Sequence, residues 1–317
     1  MKQEKRCEKF SIVIPIYYNE ANIPHTLLRL RSLVDLLPTT ELEFIFVDDG
    51  SGDRSLHLLL EEQKVDLRMK VIRLSKNFGA GAAVQAGLRY ATGDCVGIIA
   101  ADLQDPPELF IEMIQHWQQG KKVVMAVRTK REDSVVSKTF SSVFYFLMDK
   151  MALPGYPKGG FDFVLLDRDV VQEVTQYSEK NTNIMSLIYW LGHDRVAIPY
   201  VRQERTYGKS MWTFGKKIKL FIDSFISFSY TPIRFISIVG IATALLSFCY
   251  GVFVFIGKIT GKVEIEGWTT IMIAITFLLG MIMIMLGIIG EYLWRILDEI
   301  RNRPLYIIDE VYDPERR

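Results

Sequence analysis

Hydrophobic and polar positions are arranged in two different ways along this chain. Over the first 170 residues, short β-branched runs are separated by longer stretches whose apolar residues recur at helical spacing. The runs Ser11 to Ile16, Glu43 to Val47, Lys70 to Leu74, Cys95 to Ala100 and Lys122 to Val127 read as strands, each followed by a polar turn and a helical pattern. Such alternation predicts an α/β domain with a mainly parallel sheet, because parallel neighbours need a crossover that a helix supplies. The helix after the fourth strand is punctuated by Asp105 as N-cap, Pro106 in the first turn and Gly120 as its stop. Farther on, Phe235 to Gly257 and Trp268 to Gly290 are each 23 residues without one Asp, Glu, Lys or Arg. About 20 apolar residues cover the hydrocarbon core of a bilayer, so both runs are long enough to cross it.

Charge and composition change this picture in a few places. The average of 49% hydrophobic and 24% charged residues looks globular, but most of the charge lies in the first 230 residues, which excludes a wholly soluble chain. A net charge of +1 argues against a general nucleic-acid binder. Cys7, Cys95 and Cys249 are far apart, as are His25, His57, His116 and His193, so neither a disulfide framework nor a His/Cys zinc centre is expected. The charged first ten residues and the apolar Ser11 to Tyr17 suggest a leader only superficially. The apolar run is too short, contains Pro15 and ends in Tyr18-Asn19-Glu20 without a small-residue cleavage site.

Orientation follows from the flanks of the two apolar runs. Lys216, Lys217, Lys219 and Arg234 precede the first, and Arg295, Arg301 and Arg303 follow the second, whereas the connection from Lys258 to Gly267 has two Lys balanced by two Glu. The basic excess predicts both termini on the cytoplasmic side. Two stretches have basic amphipathic character. Arg128, Lys130, Arg131 and Lys138 accompany Val136, Phe140, Val143, Phe144, Leu147 and Met151, and Trp212 to Tyr230 mixes three lysines with Phe214, Ile218, Phe221, Ile222, Phe225 and Phe228. Ordinary core helices with solvated lysines account for this pattern too. Because the second stretch runs directly into an apolar span, an interfacial position is the expectation. The apolar faces also make a homo-oligomer an expectation.

In open α/β sheets ligands bind beyond the carboxyl ends of the strands, which directs attention to Tyr17 to Glu20, Asp48 to Asp53, Ser75 to Gly81 and Ala101 to Asp105. Asp48-Asp49-Gly50-Ser51-Gly52-Asp53 places three carboxylates in six residues, a pattern that a polar, helix-capping turn explains equally well. Asp102 and Gln104, two residues apart at a strand end, suit a hard cation such as Mg²⁺ or Mn²⁺ with a diphosphate completing its oxygen shell.

Pro15-Ile16-Tyr17-Tyr18-Asn19-Glu20, Val47-Asp48-Asp49-Gly50-Ser51, Lys76-Asn77-Phe78-Gly79 and Ala101-Asp102-Leu103-Gln104-Asp105-Pro106-Pro107 together resemble, in order and spacing, the family 2 glycosyltransferases of A-type fold. More narrowly, the chain is similar over nearly its whole length to the polyisoprenyl-phosphate glycosyltransferases, the dolichol-phosphate mannose synthases and bacterial bactoprenol glucosyltransferases. The resemblance implies a mainly parallel, Rossmann-like sheet domain over 1–211 with an interfacial helix at about 134–151. A juxtamembrane amphipathic helix over 212–230 would follow, then two transmembrane helices at about 233–257 and 268–293 with a cytoplasmic tail completing 231–317. It implies that Pro15, Tyr17, Glu20, Asp48 and Asp49 hold the nucleotide, that Asp102 and Gln104 ligate Mg²⁺ or Mn²⁺, and that Arg205 and Ser210 meet the donor phosphates. Asp162, in Gly159-Gly160-Phe161-Asp162, stands where the family has its catalytic aspartate. Arg128, Arg131 and Lys209 are the expected acceptor-phosphate residues.

Two departures from the family pattern matter. Ala100-Ala101-Asp102 stands where Asp-Ala-Asp is usual, and Met211 replaces a lysine whose place Lys209 takes. The activity implied is inverting transfer of a sugar, glucose from UDP-glucose in the bacterial branch, to the phosphate of undecaprenyl phosphate. The product would be a lipid-linked sugar donor for the cell envelope, made at the cytoplasmic face of the inner membrane. Three other readings compete with this one. A nicotinamide oxidoreductase rests on Gly79-Ala80-Gly81, but its glycine pattern fails at Val84. A processive polysaccharide synthase shares the early motifs, but the Gln-x-x-Arg-Trp such enzymes usually carry is absent. A non-catalytic membrane scaffold draws support only from Ala100.

Overall fold

The computed structural model describes residues 5–102, 104–129, 142–180, 182–203, 215, 223–224, 226–260 and 267–314. By its internal contacts the chain forms two units, one of 1–225 with 304–317 and one of 226–303.

The first unit opens with β1 (Lys9–Ile16), α1 (Ile23–Leu36), β2 (Glu41–Asp48), α2 (Ser55–Gln63), β3 (Met69–Leu74), α3 (Ala80–Tyr90), β4 (Cys95–Ile98), α4 (Leu109–Gln118) and β5 (Val123–Arg128). All five strands expected from the sequence are present, within three residues at each end. After a helical stretch ending in a π-helical turn, Met148–Ala152, come β6 (Phe163–Asp167), α5 (Arg168–Val174), α6 (Ile184–Trp190) and β7 (Arg195–Tyr200). The eight-stranded sheet is completed by β8 (Ile308–Tyr312), giving the order β7-β5-β6-β4-β1-β2-β3-β8. β6 and β8 run antiparallel to their neighbours and the rest are parallel, so the sheet is mainly parallel as expected.

The order reverses between β1 and β4: β2 and β3 lie on one side of β1 and β4 on the other. The loops leaving β1 and β4 are adjacent at the carboxyl ends, where ligands bind in sheets of this kind, and Thr26 Oγ1 of α1 donates to Ala101 O at 3.0 Å. Strands β1 and β2 are buried along most of their length, as strands covered on both faces must be. Within this core a chain of edge-to-face rings fixes the layers. Phe10 meets Phe110 at 5.0 Å, Phe110 meets Phe163 at 4.7 Å, and Phe163 meets Tyr200 at 6.2 Å. Each such pair adds about 0.5–1.5 kcal/mol beyond its buried area, and the last ring carries this packing to the end of β7.

Two expectations are corrected here. Asp105 is not the N-cap of α4, which begins after Glu108 and has no side-chain cap. A turn from Pro106 to Leu109 intervenes, and the Asp105 carboxyl is instead buried against Tyr200 and Arg202. Gly120 does end the helix, at φ 98°. The tail grouped with the apolar helices in 231–317 contains a strand of the first unit. β8 pairs antiparallel with β3, and Gln63 Nε2 donates to Tyr312 O at 2.7 Å.

The second unit contains α7 (Thr231–Ile259) and α8 (Trp268–Ile300). Within them Ile233–Phe253 and Ile273–Ile300 are long and apolar enough to cross a membrane. Their large apolar side chains, Phe248, Phe253, Phe277 and Met283 among them, are exposed. Just before α7, Ser229 Oγ accepts the backbone N–H of Thr231 at 3.1 Å.

Candidate active site

Loop chemistry at the carboxyl ends follows from what each strand delivers there. β2 ends in Asp48, and both Asp48 and Asp49 are buried. Asp48 accepts the backbone N–H of Ser51 at 3.3 Å. Both oxygens of Asp49 are engaged, accepting the N–H of Phe78 at 2.7 Å and of Gly79 at 2.9 Å. Burial raises both carboxyls above the ordinary aspartate range against these hydrogen bonds. Asp49 thus ties the β2 loop to the N-terminus of α3. The amides that a dinucleotide's pyrophosphate would need at Gly79 already bind a carboxylate, which argues against the oxidoreductase reading.

The β1 loop lies against the same turn. Tyr18 is held at φ 50°, its N–H donating to Ser51 Oγ at 3.1 Å, and the Asn19 N–H donates to Ser55 Oγ at 3.0 Å. Glu20 accepts from Arg54 N at 3.0 Å, so this expected nucleotide residue also braces the Asp53 turn. Pro15 and Tyr17 remain partly exposed beside it.

On the other side of the switch point, strand direction brings distant residues together. β5 ends in Arg128 and β7 in Tyr200, which are register partners. β6 runs the opposite way, so Asp162, just before its first residue, lies at this same end. The Arg128 guanidinium donates from Nη2 to Asp162 Oδ2, and its Nε to Tyr200 Oη at 3.4 Å. Tyr200 Oη in turn donates to Asp105 Oδ1. Arg202, two residues past β7, lies with Nε 3.3 Å from Asp105 Oδ1 and Nη2 3.9 Å from Asp102 Oδ2. Asp102, Asp105, Arg128, Asp162, Tyr200 and Arg202 therefore form one network.

The approach of Asp162 depends on its glycines. A Cβ on Gly159 would lie 2.7 Å from Arg128 O, and Gly160, at φ 62°, has Tyr145 against the place of its missing Cβ. The Arg128 side chain is 11% exposed and that of Asp162 61%, so the pair presents its acid to solvent and buries its base. Burial alone would lower the Arg128 guanidinium, but Asp162, Tyr200 and Asp105 together outweigh it and hold the group above its ordinary range. Burial raises Asp105, against the opposing charge of Arg202.

For a divalent cation the donor chemistry fits. Asp102 supplies a carboxylate with 13% of its side chain exposed, and Gln104, whose Nε2 donates to Gln203 O at 3.3 Å, retains its amide oxygen. Among the described residues no group of three His, Cys, Asp or Glu is placed to hold a metal ion by itself. A hard cation here would take the rest of its oxygen shell from a bound diphosphate, the usual arrangement for Mg²⁺.

Arg131, Arg205, Lys209 and Ser210 lie outside the described residues, as does most of 212–230 and the first part of the helix expected at 134–151. The part described, 142–152, is helical and exposes Val143, Phe146 and Met151. Sequence reasoning missed Tyr200 and Arg202. A signal was present, because β7 ends where a parallel strand delivers its next residues to the site.

Comparison with known proteins identifies the family. The model of Glycosyl transferase family 2 matches residues 11–175, more than half the chain. The glycosyltransferase YkcC of Bacillus subtilis (strain 168) is 39% identical over 98% of this chain and 96% of its own. The SfII prophage-derived bactoprenol glucosyl transferase of Shigella flexneri is 33% identical over 95% of this chain and 97% of its own. Among solved structures, the mannosyltransferase PcManGT from Pyrobaculum calidifontis, in complex with GDP-Man and Mn²⁺, is 18% identical, with a TM-score of 0.45 over 64% of this chain and 58% of its own. The chain belongs to glycosyl transferase family 2 and is a glycosyltransferase.

Proposed function

We propose that this enzyme transfers glucose from UDP-glucose to the phosphate of a polyisoprenyl phosphate, undecaprenyl phosphate, with inversion at the anomeric carbon. The reading is carried by the gathering of Asp102, Arg128 and Asp162 at one end of the sheet in a chain that matches bactoprenol glucosyl transferases along 95% of its length. Asp102 and Gln104 would hold Mg²⁺ or Mn²⁺, which when bound neutralises charge on the leaving diphosphate. Pro15, Tyr17, Glu20, Asp48 and Asp49 frame the nucleotide, while Arg205 and Ser210 meet the phosphates.

The acceptor is a phosphomonoester with a second pKa near ~6, largely dianionic at neutral pH and already nucleophilic. Asp162 therefore removes the residual proton or orients the acceptor, and the phosphate oxygen displaces the nucleoside diphosphate in one step. Arg128, Arg131 and Lys209 draw the lipid phosphate to Asp162, with Arg128 fixing that carboxylate through their ion pair.

Location at the cytoplasmic face of the inner membrane is supported by connectivity. β8 follows the second apolar helix yet pairs with β3, which precedes the first. Two spans therefore leave both parts of the first unit on one side, and the basic flanks assign that side to the cytoplasm. A processive synthase is disfavoured because two spans offer little material for a polymer channel. Screening nucleotide sugars against undecaprenyl phosphate with the full-length protein, and detecting lipid product by mass, tests the proposal. UDP-glucose is expected to give a glycosylated lipid phosphate. Product chains of several sugars, or free sugar alone, would refute it.

A further inference from the structure

The residues just past β7 are fastened to the donor loop by backbone pairing. Gln203 N donates to Gln104 O at 2.9 Å, and Gln104 Nε2 returns a hydrogen bond to Gln203 O at 3.3 Å. Arg29 holds Gln203 from outside, its Nη1 donating to Gln203 Oε1 at 3.3 Å. This pairing sets Arg202 beside the two acids that flank Gln104, near Asp105 on one side and Asp102 on the other.

The burial of the three groups is graded. The Asp105 side chain is fully buried, Asp102 is 13% exposed and Arg202 25% exposed. Asp105 Oδ2 and Arg202 Nε are buried without a hydrogen-bond partner among the described residues. A charge pair kept only for stability would be expected to saturate its hydrogen bonds, since each buried unsatisfied group costs free energy. This one does not, and it lies where the chemistry is expected.

We propose that Arg202 is a positioning residue of the donor site, anchored by Asp105 and aiming the carboxylate of Asp102 at the cation that accompanies the nucleotide diphosphate. The inference rests on the metal-assisted, UDP-dependent reading above. Its physical basis is the absence of a second carboxylate at Ala100, which leaves Asp102 to supply the carboxylate beside Gln104. Gln104 N already donates to Asp102 Oδ1 at 3.3 Å, and the planar guanidinium of Arg202, held at one end by Asp105, adds a restraint beside the other oxygen, Oδ2. Groups that orient a metal ligand in this way typically change metal affinity by about 10–100-fold when removed.

The test is calorimetric titration of UDP into the full-length protein, with and without Mn²⁺, beside thermal unfolding of each variant. Arg202→Gln alone leaves Asp105 as an uncompensated buried charge, so it is combined with Asp105→Asn. The double variant is expected to unfold near the wild-type temperature and to bind UDP alone normally, while the tightening produced by Mn²⁺ falls by about tenfold or more. Arg202→Lys keeps the charge but not the fork, and provides a second reading in which the Mn²⁺ effect also falls. Wild-type Mn²⁺ dependence in either folded variant would overturn the inference and reduce Arg202 to a counter-ion for Asp105. If the wild-type protein itself bound no UDP, or bound it without any Mn²⁺ effect, the functional reading would fail and the inference with it.

Discussion

The sheet has a buried charged cluster at each end, and the two are built to opposite rules. At the amino ends, Glu43 accepts from Ser11 Oγ, from Thr92 N at 2.9 Å, from Thr92 Oγ1 at 3.0 Å and from Lys70 Nζ at 3.2 Å. Lys70 also meets Asp313 at 3.2 Å, and the side chains of Glu43, Lys70 and Asp313 are 8%, 7% and 5% exposed. No buried side-chain nitrogen or oxygen of Glu43 or Lys70 is left without a partner. At the carboxyl ends, Asp162 is mostly exposed, Asp102 partly so, and Asp105 and Arg202 carry unsatisfied atoms. A saturated network rigidifies, whereas the second cluster keeps the Asp162 carboxylate open to solvent. The first cluster joins β8 to the strands at the other end of the sequence, and the second is the candidate active site.

The largest effect is expected from breaking the saturated cluster. Lys70→Met leaves Glu43 and Asp313 buried without their cation, a change of about 3–5 kcal/mol. Thermal unfolding should occur at a clearly lower temperature, with UDP affinity unchanged below the transition. An unaltered melt would show that the cluster contributes little.

At the other end the effects should appear in catalysis. Asp102→Asn is expected to lower kcat/KM by about two orders of magnitude, as loss of a principal electrostatic stabiliser does, and EDTA should act similarly on the wild type. Full activity in excess chelator would remove the cation from the account. Asp162→Asn should reduce kcat by about tenfold or more while leaving the UDP Kd near wild type, a split that separates turnover from donor binding. Loss of UDP affinity with kcat retained would move Asp162 into the nucleotide pocket.

A smaller effect is expected in the acid stability of the amino-end cluster. Burial alone would raise Glu43, but the hydrogen bonds from Ser11 and Thr92 and the charge of Lys70 outweigh it and depress the carboxyl. Its stabilisation is therefore complete above the unfolded value, near ~4.3, and is lost as pH falls through the lower folded value. Glu43→Gln should flatten the acid limb of stability against pH; an unchanged slope would contradict this. The smallest change expected is a gain. Ala100→Asp should strengthen Mn²⁺ binding by adding a second carboxylate to the loop, and an unchanged affinity would show that the residue is too distant to ligate.

The five strands of the βα repeat, and the loops that carry Asp48, Asp49 and Asp102, were legible because parallel strands buried on both faces are dense apolar runs with polar ends. β6 and β7 were harder to see. β6 is a short run, Phe163 to Asp167, that follows two glycines and runs antiparallel to both neighbours, outside the parallel repeat. β7 contains Pro199, which lowers a segment's claim to be a strand; as an edge strand it tolerates the missing N–H. β8 is five residues with Asp309 and Glu310 in its middle, and only its partner β3, remote in sequence, makes it a strand. The Arg128–Asp162 ion pair was beyond reach for a related reason. It depends on β6 running against β5, a fact of topology that neither residue's neighbours encode.

The most direct measurement is the anomeric configuration of the lipid product, determined by NMR after reaction of the full-length protein with UDP-glucose and undecaprenyl phosphate. A single displacement at the carboxyl-end site predicts a β-linked glucosyl phosphate from the α-linked donor. An α-linked product, or glucose released to water with no lipid-linked sugar, would contradict it.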